Sequence, residues 1–194
     1  MICAGRPIRP YENLSAGPFM TPVAVANSNV SPSIRFLGSG APFRNELLGM
    51  LEEVELLSDL NWREIELLAG YMKAYEADAG SAIFHEGEPG NHLCLIVRGR
   101  VKSYKATERG GPAVVAMDGR GRSIGEMALV DGEPRSATCE AVEPSTLLLL
   151  TRDAFMRLSE ERPLLGFKLL LRIAKLMSRR LRVTSGRLVD YLES

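Results

Sequence analysis

The chain has 194 residues, enough for one well-buried core with appendages rather than several domains. With 45% hydrophobic residues, 25% charged residues and a formal net charge of +0, its composition is that of an ordinary globular protein and excludes a wholly basic nucleic-acid binder. No apolar run approaches the roughly 18 residues needed to span a bilayer, and the N-terminus lacks the basic flank and apolar core of a secretory signal, so a cytoplasmic protein without membrane contact is expected.

Residues 1–42 are crowded with Pro, Gly, Ser and Asn, carry Glu12 as their one acid and hold neither the helical nor the strand period, which predicts a disordered leader. From Pro42 the pattern changes. Phe43, Leu47, Leu48, Leu51 and Val54 recur at helical spacing and a second amphipathic run covers residues 62–75, so two helices are expected to lead the domain. Apolar residues then come in short blocks at 83–84, 93–97, 101–104, 113–117, 137–141 and 147–150, separated by turn chemistry at 86–90, 98–99, 109–112, 118–121 and 131–134. Short strands at nearly even spacing predict a small barrel or sandwich. Thr151 is the expected N-cap of a last helical stretch that runs through Pro163 to about Tyr191, and the class is α+β.

Cys3, Cys94 and Cys139 are odd in number and far apart, which leaves neither a disulfide framework nor a Cys-x-x-Cys metal site. His85 and His92, the two histidines, have no carboxylate or thiol at ligand spacing, so no metal and no cofactor is expected. His-Glu-x-x-His and Gly-x-x-x-x-Gly-Lys patterns are absent, and the expected protein is not an enzyme.

The most informative stretch is Gly125-Glu126-Met127-Ala128-Leu129 followed by Arg135-Ser136-Ala137-Thr138. Gly125 permits close backbone approach, and one helical turn over 126–130 would present free N–H groups suited to a phosphate. Arg135 can donate two parallel hydrogen bonds to phosphate oxygens and the Ser136 hydroxyl a third. A carboxylate beside a phosphate repels it unless it faces a donor, so Glu126 needs a partner such as a ribose hydroxyl. The plainer alternative is a salt bridge between Glu126 and Arg135 that clamps an ordinary turn.

Residues 83–90, Ile-Phe-His-Glu-Gly-Glu-Pro-Gly, with 95–101, Leu-Ile-Val-Arg-Gly-Arg-Val, resemble the front half of a cyclic-nucleotide-binding domain, and the Gly125 and Arg135 segments resemble that family's phosphate-binding cassette. The resemblance covers roughly residues 45–190. It implies a jelly-roll-like β-roll with N-terminal helices and a long C-terminal dimerisation helix, divided as leader 1–42, binding domain 43–162 and helix 163–194. It implies a ligand site of Gly125, Glu126, Met127, Ala128, Arg135 and Ser136, with Glu126 on the ribose 2′-hydroxyl and Arg135 on the cyclic phosphate. The run Arg179-Arg180-Leu181-Arg182-Val183-Thr184-Ser185 resembles the helix of bacterial cyclic AMP receptor proteins in which a Thr-Ser pair meets adenine, which adds Thr184 and Ser185 and makes cyclic AMP the expected ligand. The helix-turn-helix domain of those regulators has no counterpart before Ser194, so the expected output is an unknown protein partner, with a transcription regulator of that type, truncated or reaching DNA through its basic helix, as the alternative.

Written as heptads, the last helix places Ala174, Leu181 and Leu188 at a, and Leu170, Met177, Thr184 and Tyr191 at d, a seam for a homodimer or the stripe of a core-facing helix. Its basic residues, Lys168, Arg172, Lys175, Arg179 and Arg180 among them, are expected on a solvated face, with charge pairing to the acidic leading helices within a dimer, or to a partner, as the alternative. Gly186 weakens the helix near its end.

Overall fold

Turn chemistry cuts the middle of the chain into short strands, and these close into two facing antiparallel sheets. The computed structural model describes residues 30–49, 54–107 and 111–193. The expected leader up to residue 29, with Cys3, and Leu51 of the first expected helix lie outside the described residues. In chain order the elements are β1 (Ile34–Ser39), α1 (Arg44–Gly49), α2 (Trp62–Tyr71), β2 (Lys73–Ala77), β3 (Ala82–Phe84), β4 (His92–Arg98), β5 (Arg100–Ala106) and β6 (Pro112–Gly119). They continue with β7 (Ser123–Ile124), α3 (Glu126–Val130), β8 (Thr138–Ala141), β9 (Ser145–Thr151), α4 (Arg152–Glu161) and α5 (Pro163–Leu192). One sheet has the order β1-β2-β9-β4-β7 and the other β3-β8-β5-β6, which is the expected jelly-roll-like β-roll with flanking helices.

The central strands of the five-stranded sheet are buried on both faces, which is why β4 and β9 read as unbroken apolar runs. Leu93, Leu95 and Val97 of β4 and Leu148 and Leu150 of β9 pack outward against the helices. Cys94 and Ile96 of β4 and Leu147 and Leu149 of β9 point into the roll, against Phe84, Val101, Ile124 and Cys139. Both buried thiols are pushed up by loss of water, Cys139 to about 11, and behave as core groups.

Three expectations need correction. The disordered leader does not extend to residue 42, because Ile34–Ser39 pairs along β2 as an edge strand. Only Ile34 of that strand is buried, so backbone pairing rather than an apolar period holds it, and the period carried no sign of it. The second leading helix stops at Tyr71 rather than 75. Gly70 weakens its last turn, Met72 is extended and the next five residues are captured between β1 and β9. The last helical stretch is two helices. Thr151 caps the first, its side chain accepting from the Ala154 N–H, while Arg162 leaves the helical conformation and Pro163 opens the second in the first-turn position that suits proline.

Helix α5 lays Leu165, Leu169, Ile173 and Leu176 on the roll and the leading helices. Its cations pair along the same flank, Lys168 with Glu64 at 2.6 Å, Arg172 with Asp59 and Arg179 with Glu55. Much of its basic character is therefore answered within the chain rather than by solvent alone. The helix runs unbroken through Gly186, and every described residue from 181 onward is exposed. The edge strands share a feature: Leu37 on β1, Ile83 on β3 and Val115 on β6 each stand as an extra residue with no register partner.

Candidate ligand-binding site

The site gathers where β7 runs into α3 and where the turn between α3 and β8 returns beside the start of β4. Gly125 is the N-cap of α3 in the left-handed region, φ +77°, and no side chain caps the helix. A Cβ on Gly125 would lie 2.6 Å from Nη1 of Arg135, and one on Gly90 would lie 2.3 Å from the Ala128 Cβ. Both glycines are therefore required by close approach around the same arginine. The turn after β3 is tied to this arginine through its backbone: Gly87 N–H donates to the Arg135 carbonyl at 2.9 Å, and Arg135 N–H to the Glu88 carbonyl at 2.8 Å.

Arg135 is only 4% exposed. Its guanidinium lies over the Phe84 ring at 4.0 Å, and Nη1 donates to the backbone carbonyls of His92 at 2.7 Å and Gly125 at 3.2 Å. Nε and Nη2, the two nitrogens of its side-on fork, are buried without a partner. Burial pushes the guanidinium below its ordinary value, against the pull of Glu88 and Glu126. A buried cation with half its donors unused is costly unless an anion completes it.

Glu126 is 3% exposed and fully engaged. Ser123 donates its hydroxyl to Oε1, and Nη1 of Arg180, from α5, donates to Oε2 at 2.8 Å while Nη2 of the same arginine reaches the Ser123 carbonyl at 2.6 Å. The alternative of a Glu126–Arg135 clamp is overturned: the two side chains are neighbours with separate partners. Of the expected site residues the structure brings Gly125, Glu126, Ala128 and Arg135 together at the mouth of α3. Met127 is half-exposed beside them, and the exposed Ser136 directs its hydroxyl to the Met127 sulfur at 3.8 Å. Thr184 and Ser185 stand apart, exposed on α5, one turn beyond Arg180. Sequence reasoning assigned no role to Ser123, Arg180, Phe84 or His92. Arg180 sat in view inside the receptor-like motif, but only the topology shows that it reaches Glu126.

His92 is fully buried and edge-on to Phe84, with ring centroids 6.1 Å apart. Burial, reinforced by the charge of Arg135, pushes its pKa down to about 3 from 6.5. The unfolded chain therefore binds a proton below about pH 6.5 that the folded chain refuses until about pH 3, so stability falls with pH across that window. The slope from this residue approaches 1.4 kcal/mol per pH unit. Thermal melts from pH 7 to pH 5 should fall less steeply for His92→Gln than for wild type; parallel slopes would show that His92 is not held neutral.

Fold and site together define a β-roll binding domain built around a buried, half-bonded arginine. The family model of the cyclic nucleotide-binding domain matches residues 75–162. A cyclic AMP receptor protein of Thermus thermophilus is 34% identical over 119 residues, which cover 61% of this chain and 53% of that protein. A cAMP-dependent protein kinase regulatory subunit of Aspergillus fumigatus is 38% identical over 108 residues, covering 56% of this chain and 25% of the subunit. The crystal structure of a cyclic nucleotide-binding domain from Methylobacillus flagellatus superposes with a TM-score of 0.74 at 34% identity, over 82% of this chain and 90% of that one. The chain belongs to the cyclic nucleotide-binding domain family. It spans about half the length of the bacterial receptor and a quarter of the kinase subunit.

Proposed function

We propose that this chain is a non-catalytic cyclic-nucleotide sensor of the cytoplasm that prefers cyclic AMP, works as a homodimer through α5 and passes its state to a protein partner. The observation that carries the ligand reading is the fork of Arg135: Nε and Nη2 form the edge that pairs with two oxygens of one phosphate, and both are buried and unbonded. The uncapped N–H groups of α3 lie beside it. Glu126 supplies the acceptor for a ribose 2′-hydroxyl, and it is the group through which the ligand meets α5, since a hydroxyl arriving at its carboxylate competes with Ser123 and Arg180.

Two faces of α5 support the homodimer. The residues that face the core are Leu165, Leu169, Ile173 and Leu176, with Met177 of the d positions packed beside them, whereas the heptad positions Leu170, Leu181, Leu188 and Tyr191 are exposed, so most of the a/d stripe stands apart from the core-facing one. In a pair of such helices Thr184 and Ser185 come to lie where a ligand base could meet them. The alternative, a DNA-binding regulator, draws on the likeness to a bacterial receptor, but the pairing of Lys168, Arg172, Arg179 and Arg180 with acids leaves α5 fewer cations for phosphates. A salt-dependent shift of duplex DNA would favour it.

Titration calorimetry with cyclic AMP, cyclic GMP and 2′-deoxy cyclic AMP tests the site. Glu126→Gln should weaken cyclic AMP by roughly tenfold to a hundredfold and leave the 2′-deoxy analogue within a few-fold, because the lost charge on the acceptor matters where a hydroxyl donates to it. Equal losses for both ligands would reduce Glu126 to a brace for Arg180.

A further inference from the structure

The guanidinium of Arg135 carries five N–H donors in a fixed fork. Two of them, on Nη1, are taken by the carbonyls of His92 and Gly125. The other three, on Nε and Nη2, are buried and unbonded. A phosphate seated side-on engages one hydrogen of Nε and one of Nη2. One Nη2 hydrogen then remains, in a place from which water is largely excluded, and leaving it without an acceptor beside a charged group is expensive.

One further buried polar nitrogen in this neighbourhood lacks a partner, Nε2 of His92. His92 opens β4 and lies two residues before Cys94, so strand alternation turns its side chain to the inner face that carries Cys94, Ile96 and, across the roll, Phe84. It meets the edge of the same Phe84 ring on which Arg135 is stacked. Its other ring nitrogen, Nδ1, stands 3.1 Å from Oδ1 of Asn91, and the tautomer with its hydrogen on Nδ1 would donate to that oxygen and leave Nε2 a bare acceptor. The orphan acceptor and the orphan donors flank one phenyl ring and, though complementary in kind, are not bonded to each other in this structure.

We propose that His92 is a positioning residue for Arg135, its bare Nε2 accepting the Nη2 hydrogen that a bound phosphate leaves over, with Asn91 fixing the tautomer that makes this possible. The inference rests on the reading of Arg135 as the phosphate-binding group. In the filled site all five donors are then used: two on backbone carbonyls, two on phosphate oxygens and one on the imidazole. This fixes the rotation of the guanidinium plane, so that the fork meets the phosphate without searching.

Calorimetry with cyclic AMP on His92→Leu, His92→Gln and Arg135→Ala tests it, with thermal melts alongside. His92→Leu keeps the bulk but removes the acceptor and should weaken binding by roughly tenfold to a hundredfold. His92→Gln can offer its side-chain carbonyl and should stay within about threefold of wild type. In protein labelled with ¹⁵N at histidine, Nδ1 should carry the hydrogen in both states, and the bare Nε2 signal should shift on saturation as it accepts a hydrogen bond. Wild-type affinity in His92→Leu alongside a large loss in Arg135→Ala would overturn the role of His92 and leave the phosphate reading intact. Wild-type affinity in Arg135→Ala would overturn that reading itself. Equal losses in His92→Leu and His92→Gln, or a hydrogen on Nε2 in the saturated protein, would also overturn the inference.

Discussion

Arg135→Ala is expected to lower cyclic AMP affinity by roughly thirty-fold to a few thousand-fold. Truncating one side of a buried charged pair typically costs about 2–5 kcal/mol, and each factor of ten in affinity corresponds to about 1.4 kcal/mol. The structure separates this effect from a folding defect. The ligand-free guanidinium gains two carbonyl hydrogen bonds and the Phe84 face, but it also holds three donors away from water, so its removal exchanges lost packing for relieved desolvation. The thermal midpoint of the ligand-free variant should therefore move little while the ligand-induced rise in midpoint disappears. Arg135→Lys, a point charge without the fork, should fall between the two in affinity. Equal affinities in all three proteins would sink the site assignment.

Leu181→Glu is expected to turn a dimer into a monomer. Leu181 is 67% exposed and is not among the core-facing residues of α5, so the substitution leaves the packing of a single chain alone. In a parallel pair of helices the two copies of this residue face one another at an a position. Burying a leucine is worth about 1.5–3 kcal/mol, so losing one from each copy costs about 3–6 kcal/mol, or a hundred-fold to ten-thousand-fold in dimer dissociation, before any repulsion between the two carboxylates. Sedimentation at micromolar concentration reads the outcome directly. An unchanged mass with an unchanged melting curve would show that α5 is not the seam.

The sequence made the roll legible because its strands are marked by turns, and each of the six apolar blocks became a strand. It hid β1 and β2 for a physical reason. An edge strand with one buried residue has no apolar period, and β2, with alanine and tyrosine as its buried residues, is strand only because two neighbours pair with it. The cassette was readable because its requirements are local: a glycine where the backbone turns left-handed, a short uncapped helix, and an arginine returning within ten residues. What surrounds it was not. That Glu126 answers to Arg180, fifty-four positions away, and that Arg135 rests on Phe84 and two backbone carbonyls, are consequences of β4, β7 and α5 meeting at one point. No spacing rule carries such information.

The extra residues on the edge strands bear on how copies of this chain can meet. An open strand edge offers unpaired N–H and C=O groups to any other strand, and long flat edges invite fibrous aggregation. Here β1, β3 and β6 each bend at a residue that breaks the ladder, and the remaining edge, β7, is two residues long. None of the four offers a straight row of hydrogen-bonding groups to a neighbour. Among the described residues no border of the roll favours sheet-to-sheet growth, and in the proposed homodimer the exposed apolar residues of α5 would join two copies without going on to form a chain of them.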